Sequence, residues 1–283
     1  MKYLFTISIL VACLRLPAQE LYVYTEPASN VPARSISGAL TLQYISSQFP
    51  EQRPMQRLLP AIKFGLSKSV MITAGASFAD MHTRQFRWES VYLYGKYRFL
   101  SKDELHSHFR MAVFGEVAKS RSPFHYDEVS LQGDRSGALL GVVATQLWNK
   151  LAISGSVSHT QVFDKARRKS DVIYVPSRIY QYMNYSLSAG YLVLPVQYTS
   201  YKQTNLNLYA ELLAQQSLDR RAYFVDLAPA VQLIFNSNTK VNLGYRFKLA
   251  TDMERMGRNS FQLTIERTLL NAIGGNSKVK TQK

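Results

Sequence analysis

Three short stretches hold residue types that could do chemistry. His106-Ser107-His108 sets two imidazoles at i and i+2, beside Asp103 and Glu104. On a strand that spacing points both rings to one face, and imidazole and carboxylate are ligands that zinc accepts. A site needs further ligands that the sequence does not place, so the pair reads as a rim feature and no metal is assigned. Ser154, Ser156 and Ser158 lie close to His159, the parts of a hydroxyl nucleophile and its base. In a strand the three serines and His159 point to opposite faces, which defeats a direct hydrogen bond. Gly75-Ala76-Ser77-Phe78-Ala79 approaches a nucleophile elbow, but no helix follows it, so the strained turn is missing. No catalytic residue and no cofactor is assigned, and lipid modification is the weakest functional reading.

The remaining chemistry is charge. Lys and Arg number 34 against 19 Asp and Glu, a formal net charge of +15. Nucleic-acid binding would gather those cations on one face with stacking aromatics between them. Here they are spread along the chain, and no nucleic-acid partner is assigned. What they do depends on the elements that carry them.

From Ser35 onward apolar residues alternate with small or polar ones, the period of a strand and not of a helix. Ile36, Leu40, Leu42 and Tyr44 oppose Ser37, Ala39, Thr41 and Gln43, and Leu151, Ile153 and Val157 oppose Ala152, Ser154, Ser156 and Ser158. Similar runs recur to Ile265. Residues 86–99 leave their facing open, because Tyr92 and Tyr94 compete with Val91, Leu93 and Tyr97 for the apolar side. Residues 136–147 are apolar on both faces. About twelve segments result.

Their connections alternate in length. Tight ones fall at Ser67-Lys68, Trp148-Asn149-Lys150 and Asn236-Ser237-Asn238, rich in residues that accept turn geometry. Longer polar ones lie at 46–56, 79–85, 119–135, 163–178, 215–221 and 251–259, while 100–105 and 193–203 are longer than ideal for the short side. Alternating parity with alternating connections defines an all-β fold: a transmembrane antiparallel up-and-down β-barrel of about twelve strands over residues 35–270. The pattern resembles porin-like and transporter-like bacterial outer-membrane barrels. That resemblance implies the Gram-negative outer membrane, with lipopolysaccharide and the barrel-assembly machinery as partners. Such barrels often end on an aromatic residue, whereas here a polar basic tail, 271–283, follows the last strand.

With strand one running outward, the charged residues separate into two groups. Lys63, Arg110, Glu116, Glu211, Asp226, Arg246, Lys248 and Glu266 share the inner face and are candidates to line the lumen. Arg167, Arg168, Lys169, Arg220 and Arg221 fall in outer loops, as do Lys119, Arg121, Arg255 and Arg258, where lipid-A and core phosphates are anionic partners. An eight-stranded barrel is filled by its side chains and a sixteen-stranded one holds an aqueous channel, so about twelve strands leave conduit and salt-bridge plug both open.

The N-terminus reads as an export signal over residues 1–18. Lys2 precedes an apolar run too short to span a bilayer as a helix, and Ala18 permits cleavage before Gln19. Leu10-Val11-Ala12-Cys13 also resembles a lipobox; Cys13 is the only cysteine, so after cleavage at 18 no disulfide or thiol site remains. Residues 19–34, with Pro27 and Pro32, hold too many strand breakers for the sheet and serve as a periplasmic leader or a lumen plug. Two readings lead. One is a passive channel or transporter for small hydrophilic, anion-leaning solutes; the other is a structural barrel with a closed lumen and basic loops that contact surface glycolipid or an envelope partner.

Overall fold

The computed structural model describes residues 22–46, 53–80, 85–122, 126–163, 167–169, 172–174, 179–197, 200, 202–218 and 222–274. The alternating segments are strands: β1 (Ser35–Ile45), β2 (Met55–Gly65), β3 (Val70–Ala79), β4 (Arg87–Asp103), β5 (Ser107–Ser120), β6 (Gly137–Trp148) and β7 (Leu151–Val162). After a short pair, β8 (Arg167–Lys169) and β9 (Val172–Tyr174), come β10 (Gln181–Leu194), β11 (Asn205–Ser217), β12 (Tyr223–Phe235), β13 (Thr239–Thr251) and β14 (Asn259–Leu269). All except β8 and β9 form one closed barrel in chain order. The ring shuts where β1 pairs antiparallel with β14, from Ile36↔Leu269 to Ile45↔Ser260. Closure leaves no strand edge unpaired, the condition for a sheet to stand in hydrocarbon.

One parity of each strand faces outward and is apolar. Leu40, Ile62, Leu93, Val117, Leu140, Leu187 and Ile265 are exposed around the wall. Aromatic residues concentrate toward its two ends. Tyr97, Trp148, Tyr191 and Phe235 lie near the rim of short turns, and Tyr44, Trp88, Tyr223 and Phe261 lie near the opposite rim. Amphipathic rings suit the two interfaces of a bilayer. The short-turn rim is therefore periplasmic and the long-loop rim external. Asn149, Asn236 and Ser237 adopt positive φ at the short turns, which their polar side chains tolerate.

The other parity is buried, small and polar. Hydroxyls and amides join neighbouring strands across the inner wall: Ser37 to Thr268 at 2.7 Å, Thr41 to Thr264 at 2.8 Å, Ser77 to Ser90 at 2.8 Å and Thr145 to Ser154 at 2.9 Å. Polar groups away from bulk water are thereby satisfied within the wall.

The structure corrects the sequence reading in three places. The 100–105 connection is short, because Ser101, Lys102 and Asp103 continue β4 and pair with Arg110, Phe109 and His108 after a register shift between Arg98 and Leu100. His106 consequently sits in the turn and His108 in β5, so the two imidazoles do not share a strand face. The 163–178 loop carries the β8–β9 hairpin. The open facing of 86–99 is also decided: Val91, Leu93, Tyr97 and Phe99 point out, while Tyr92, Tyr94 and Lys96 are on the inner side.

Candidate functional site in the barrel lumen

Two segments that are not part of the wall fold into the lumen. The first, residues 22–34, enters from the periplasmic rim, where the Arg34 amide donates to Gly65 O at 2.6 Å. Its prolines keep it from joining the sheet, so its backbone groups must find partners on the inner wall. The Glu211 carboxylate accepts from the amides of Val23, Tyr24 and Thr25, each at 2.9 Å, and from the Thr25 hydroxyl at 2.7 Å. On the other side of the barrel, the Lys96 ammonium donates to the carbonyls of Pro27 and Ser29, both at 2.8 Å. Ala28 N donates to Thr145 Oγ1 at 2.9 Å, and the Ala28 side chain packs on Ala112 and Val143. Tyr22 packs against Leu147, Ala152, Tyr209 and Ala230. This strap explains why β6 is apolar on both faces: Val143 and Leu147 point inward and are covered by it.

Glu26 gives the strap its charge. Its oxygens lie 3.1 Å from Lys63 Nζ and 2.9 Å from Lys96 Nζ, and Lys63 also pairs with Glu266, which pairs with Lys240. Burial alone would raise the Glu26 carboxyl, but the Lys63 and Lys96 ammonium groups outweigh it and hold it well below the usual carboxylate range.

The second segment, residues 126–135 of the β5–β6 connection, folds in from the external rim. Gln215 clasps it, accepting from Val129 N and donating to Val129 O, both at 2.9 Å. Glu128 meets Arg246 and Arg255 at 3.0 Å each, and the same two guanidiniums bind Asp226. Phe224 lies beneath both, its ring centroid 4.3 Å from Arg255 Cζ and 5.0 Å from Arg246 Cζ. Planar guanidinium bridging two carboxylates over a ring is a geometry that lysine does not reproduce. Arg57 completes the closure by pairing with Glu89 at 3.1 Å and with Asp134. Burial raises Glu128, but the neighbouring guanidiniums reverse the effect and leave it lowered.

Between strap and loop remains a cavity of about 460 Å³. Of the residues expected to line the lumen, Lys63, Glu116, Arg246 and Glu266 border it. Glu211 lies under the strap, and Asp226 is fully buried against Arg246 and Arg255. Arg110 is drawn aside to Asp103 and Ser29, both contacts at about the periplasmic rim. Lys248 stands opposite Asp226 in register but is not at the cavity. Arg255, read from sequence as an outer-loop cation open to phosphate, is instead 5% exposed and held by two carboxylates. Arg220 and Arg221 lie outside the described residues, as do residues 1–21 with Cys13 and tail residues 275–283. Arg167, Arg168 and Lys169 form β8 in the external loop.

The sequence reading missed Glu26, Arg57, Lys96, Glu128, Asp134 and Lys240. Lys96 lay in the segment of undecided parity, and the carboxylates lay in stretches read as leader and loop, where no periodicity assigns a direction. The three serines of β7 take wall partners, Ser154 to Thr145, Ser156 to Ser186 and Ser158 to Asn184, while His159 pairs across the sheet with Leu140 and Met183 on the outer parity. His108 Nδ1 is 2.9 Å from Asp103, and among the described residues no group of three or more His, Cys, Asp or Glu could hold a metal ion.

A closed antiparallel barrel with an apolar outer belt, two aromatic girdles and a polar interior defines a β-barrel protein of the Gram-negative outer membrane. Solved structures agree on the fold. The COG4313 outer membrane channel from Pseudomonas putida F1 aligns with a TM-score of 0.56 at 12% identity, covering 88% of this chain and all of that one. The β domain of the Bordetella autotransporter BrkA aligns at a TM-score of 0.50 and 13% identity, covering 82% of this chain and 98% of that one. No family model and no curated protein matches the sequence.

Proposed function

We propose that this protein is an outer-membrane channel for small hydrophilic solutes, closed at rest by its N-terminal strap and by the inward β5–β6 loop. One observation carries the reading: a cavity of about 460 Å³ with mixed polar and apolar lining persists between the two segments, and both are held to the wall chiefly by hydrogen bonds and ion pairs, with only small apolar contacts at Tyr22, Ala28 and Val129. A barrel whose interior served only as a core would fill that space with packed side chains. The COG4313 outer membrane channel, which aligns at a TM-score of 0.56, is consistent with such a role.

In this reading residues 1–18 are the export signal, 19–34 the periplasmic closure and 271–283 a tail outside the barrel. Most interior cations are matched by carboxylates, so the lumen gives anions little advantage, and any anion preference comes from the outer cations such as Arg167, Arg168 and Lys169. Liposome swelling with a small neutral sugar is the test. The chain from residue 19 should give slow swelling, and a chain that lacks residues 20–30 and also carries Arg255→Ala, so that both closures are released, should give fast swelling. Equal, slow swelling by both, with each barrel folded by its heat-modifiable migration, would overturn the channel. A second reading, a closed barrel whose basic outer loops contact lipopolysaccharide phosphates, is favoured by the double occupancy of the lumen and takes its support from that same outcome.

A further inference from the structure

The carboxylates around the cavity are satisfied in two ways. Glu26, Glu128, Asp226 and Glu266 pair with lysine or arginine, and Glu211 is wrapped by backbone amides. Glu116 has neither. It is 8% exposed, it borders the cavity as Gln132 does, and among the described residues no lysine or arginine forms a salt bridge with it. A carboxylate out of bulk water with no counter-charge is costly, and either a proton or a bound cation relieves it.

The surroundings favour the cation. Glu116 stands in a row across the inner wall, paired with Tyr94, then Thr73, then Lys63, whose ammonium is taken by Glu26 and Glu266. Thr73 is 5% exposed, borders the cavity, and its hydroxyl oxygen has no hydrogen-bond partner. Tyr92 lies one step along β4 on the same side, with its outer end over Gly75, where a Cβ would stand 2.4 Å from the ring. Close approach to a glycine keeps that ring against the wall, leaving the cavity beside it open. A carboxylate and two tyrosine rings are the groups that recognise an organic ammonium, by charge and by cation–π attraction.

We infer that the cavity is a binding site for a small organic cation, its ammonium seated between Glu116, Tyr92 and Tyr94. The inference rests on the lumen being a solute path and names the class of solute that dwells in it.

Choline is the probe, measured by equilibrium dialysis against the refolded full chain from residue 19 in detergent. Its neutral isostere, 3,3-dimethylbutan-1-ol, serves as competitor. Choline should be retained and not displaced by the alcohol. Glu116→Gln, which keeps the shape and removes the charge, should weaken retention about tenfold or more. Tyr92→Leu should weaken it several-fold. Displacement by the alcohol at equal concentration, unchanged retention in a heat-modifiable Glu116→Gln barrel, or no retention by the unaltered chain would each overturn the site. Sugar swelling separates the two claims: choline failure with fast swelling of the chain in which both closures are released removes the cation site and leaves the channel, whereas retention without swelling does the reverse.

Discussion

The lumen is closed twice, by different chemistry. At the periplasmic side the strap offers mainly backbone groups and one carboxylate, Glu26, and the wall answers with Glu211, Thr145 and the two ammoniums of Lys96 and Lys63. At the external side the loop offers side-chain carboxylates, and the wall answers with guanidiniums over a phenyl ring. Amide bonds to a single acceptor can be exchanged for water one at a time in a wet lumen. A bridged guanidinium pair is geometrically fixed and leaves charge stranded when broken. The strap, held largely by single-acceptor amide bonds, is therefore the closure that yields first, and the external loop with its guanidinium bridges is the closure that yields last.

The largest effect is expected from Arg255→Ala, which leaves buried Asp226 and Glu128 to share Arg246. It should cost about 2–3 kcal/mol of barrel stability and expose residues 126–135 to protease added outside intact cells; a loop as resistant as before would break the contrast. Glu211→Ala comes next. Three amides and the Thr25 hydroxyl lose their acceptor, but water in the cavity can replace it, so about 1–2 kcal/mol is expected in urea unfolding, with faster hydrogen exchange confined to residues 23–25.

Acid should act on both closures through Glu26 and Glu128. Each is held below its unfolded value of about 4.3, so each stabilises the closed state fully above roughly pH 5 and loses that contribution as pH falls through its depressed folded value. Closure should hold from pH 8 to pH 5 and weaken only in stronger acid, and a loss of closure between pH 7 and 5 would contradict the pairing. The smallest effect is expected from replacing Arg167, Arg168 and Lys169 by Gln. Barrel stability should stay within about 0.5 kcal/mol, while adhesion to lipopolysaccharide vesicles should fall and lose part of its salt dependence.

The wall was readable from sequence because a barrel strand has one lipid face and one wet face, and that repeats every second residue from Ile36 to Ile265. Parity failed where both faces carry rings, at Tyr92 and Tyr94, and settled only when neighbouring strands fixed the register. The closures were far less readable. Glu26 and Glu128 sit in segments without a period, so nothing local says that they turn inward. The one trace was indirect: Val143 and Leu147 on the inner face of β6 required a cover, and the cover is Ala28 and Tyr22. Arg255 misled because an arginine in a polar loop is usually solvated, whereas here it stands 4.3 Å from the centre of Phe224.

The most direct test of the two closures is single-channel conductance in planar bilayers, comparing the chain from residue 19 with the same chain carrying Glu211→Ala and Arg255→Ala together. The unaltered barrel should be silent or open only in brief bursts at neutral pH, and the double variant should give stable, long-lived conductance steps. Stable steps from the unaltered barrel, or silence from a folded double variant, would contradict a solute path held shut by these two segments.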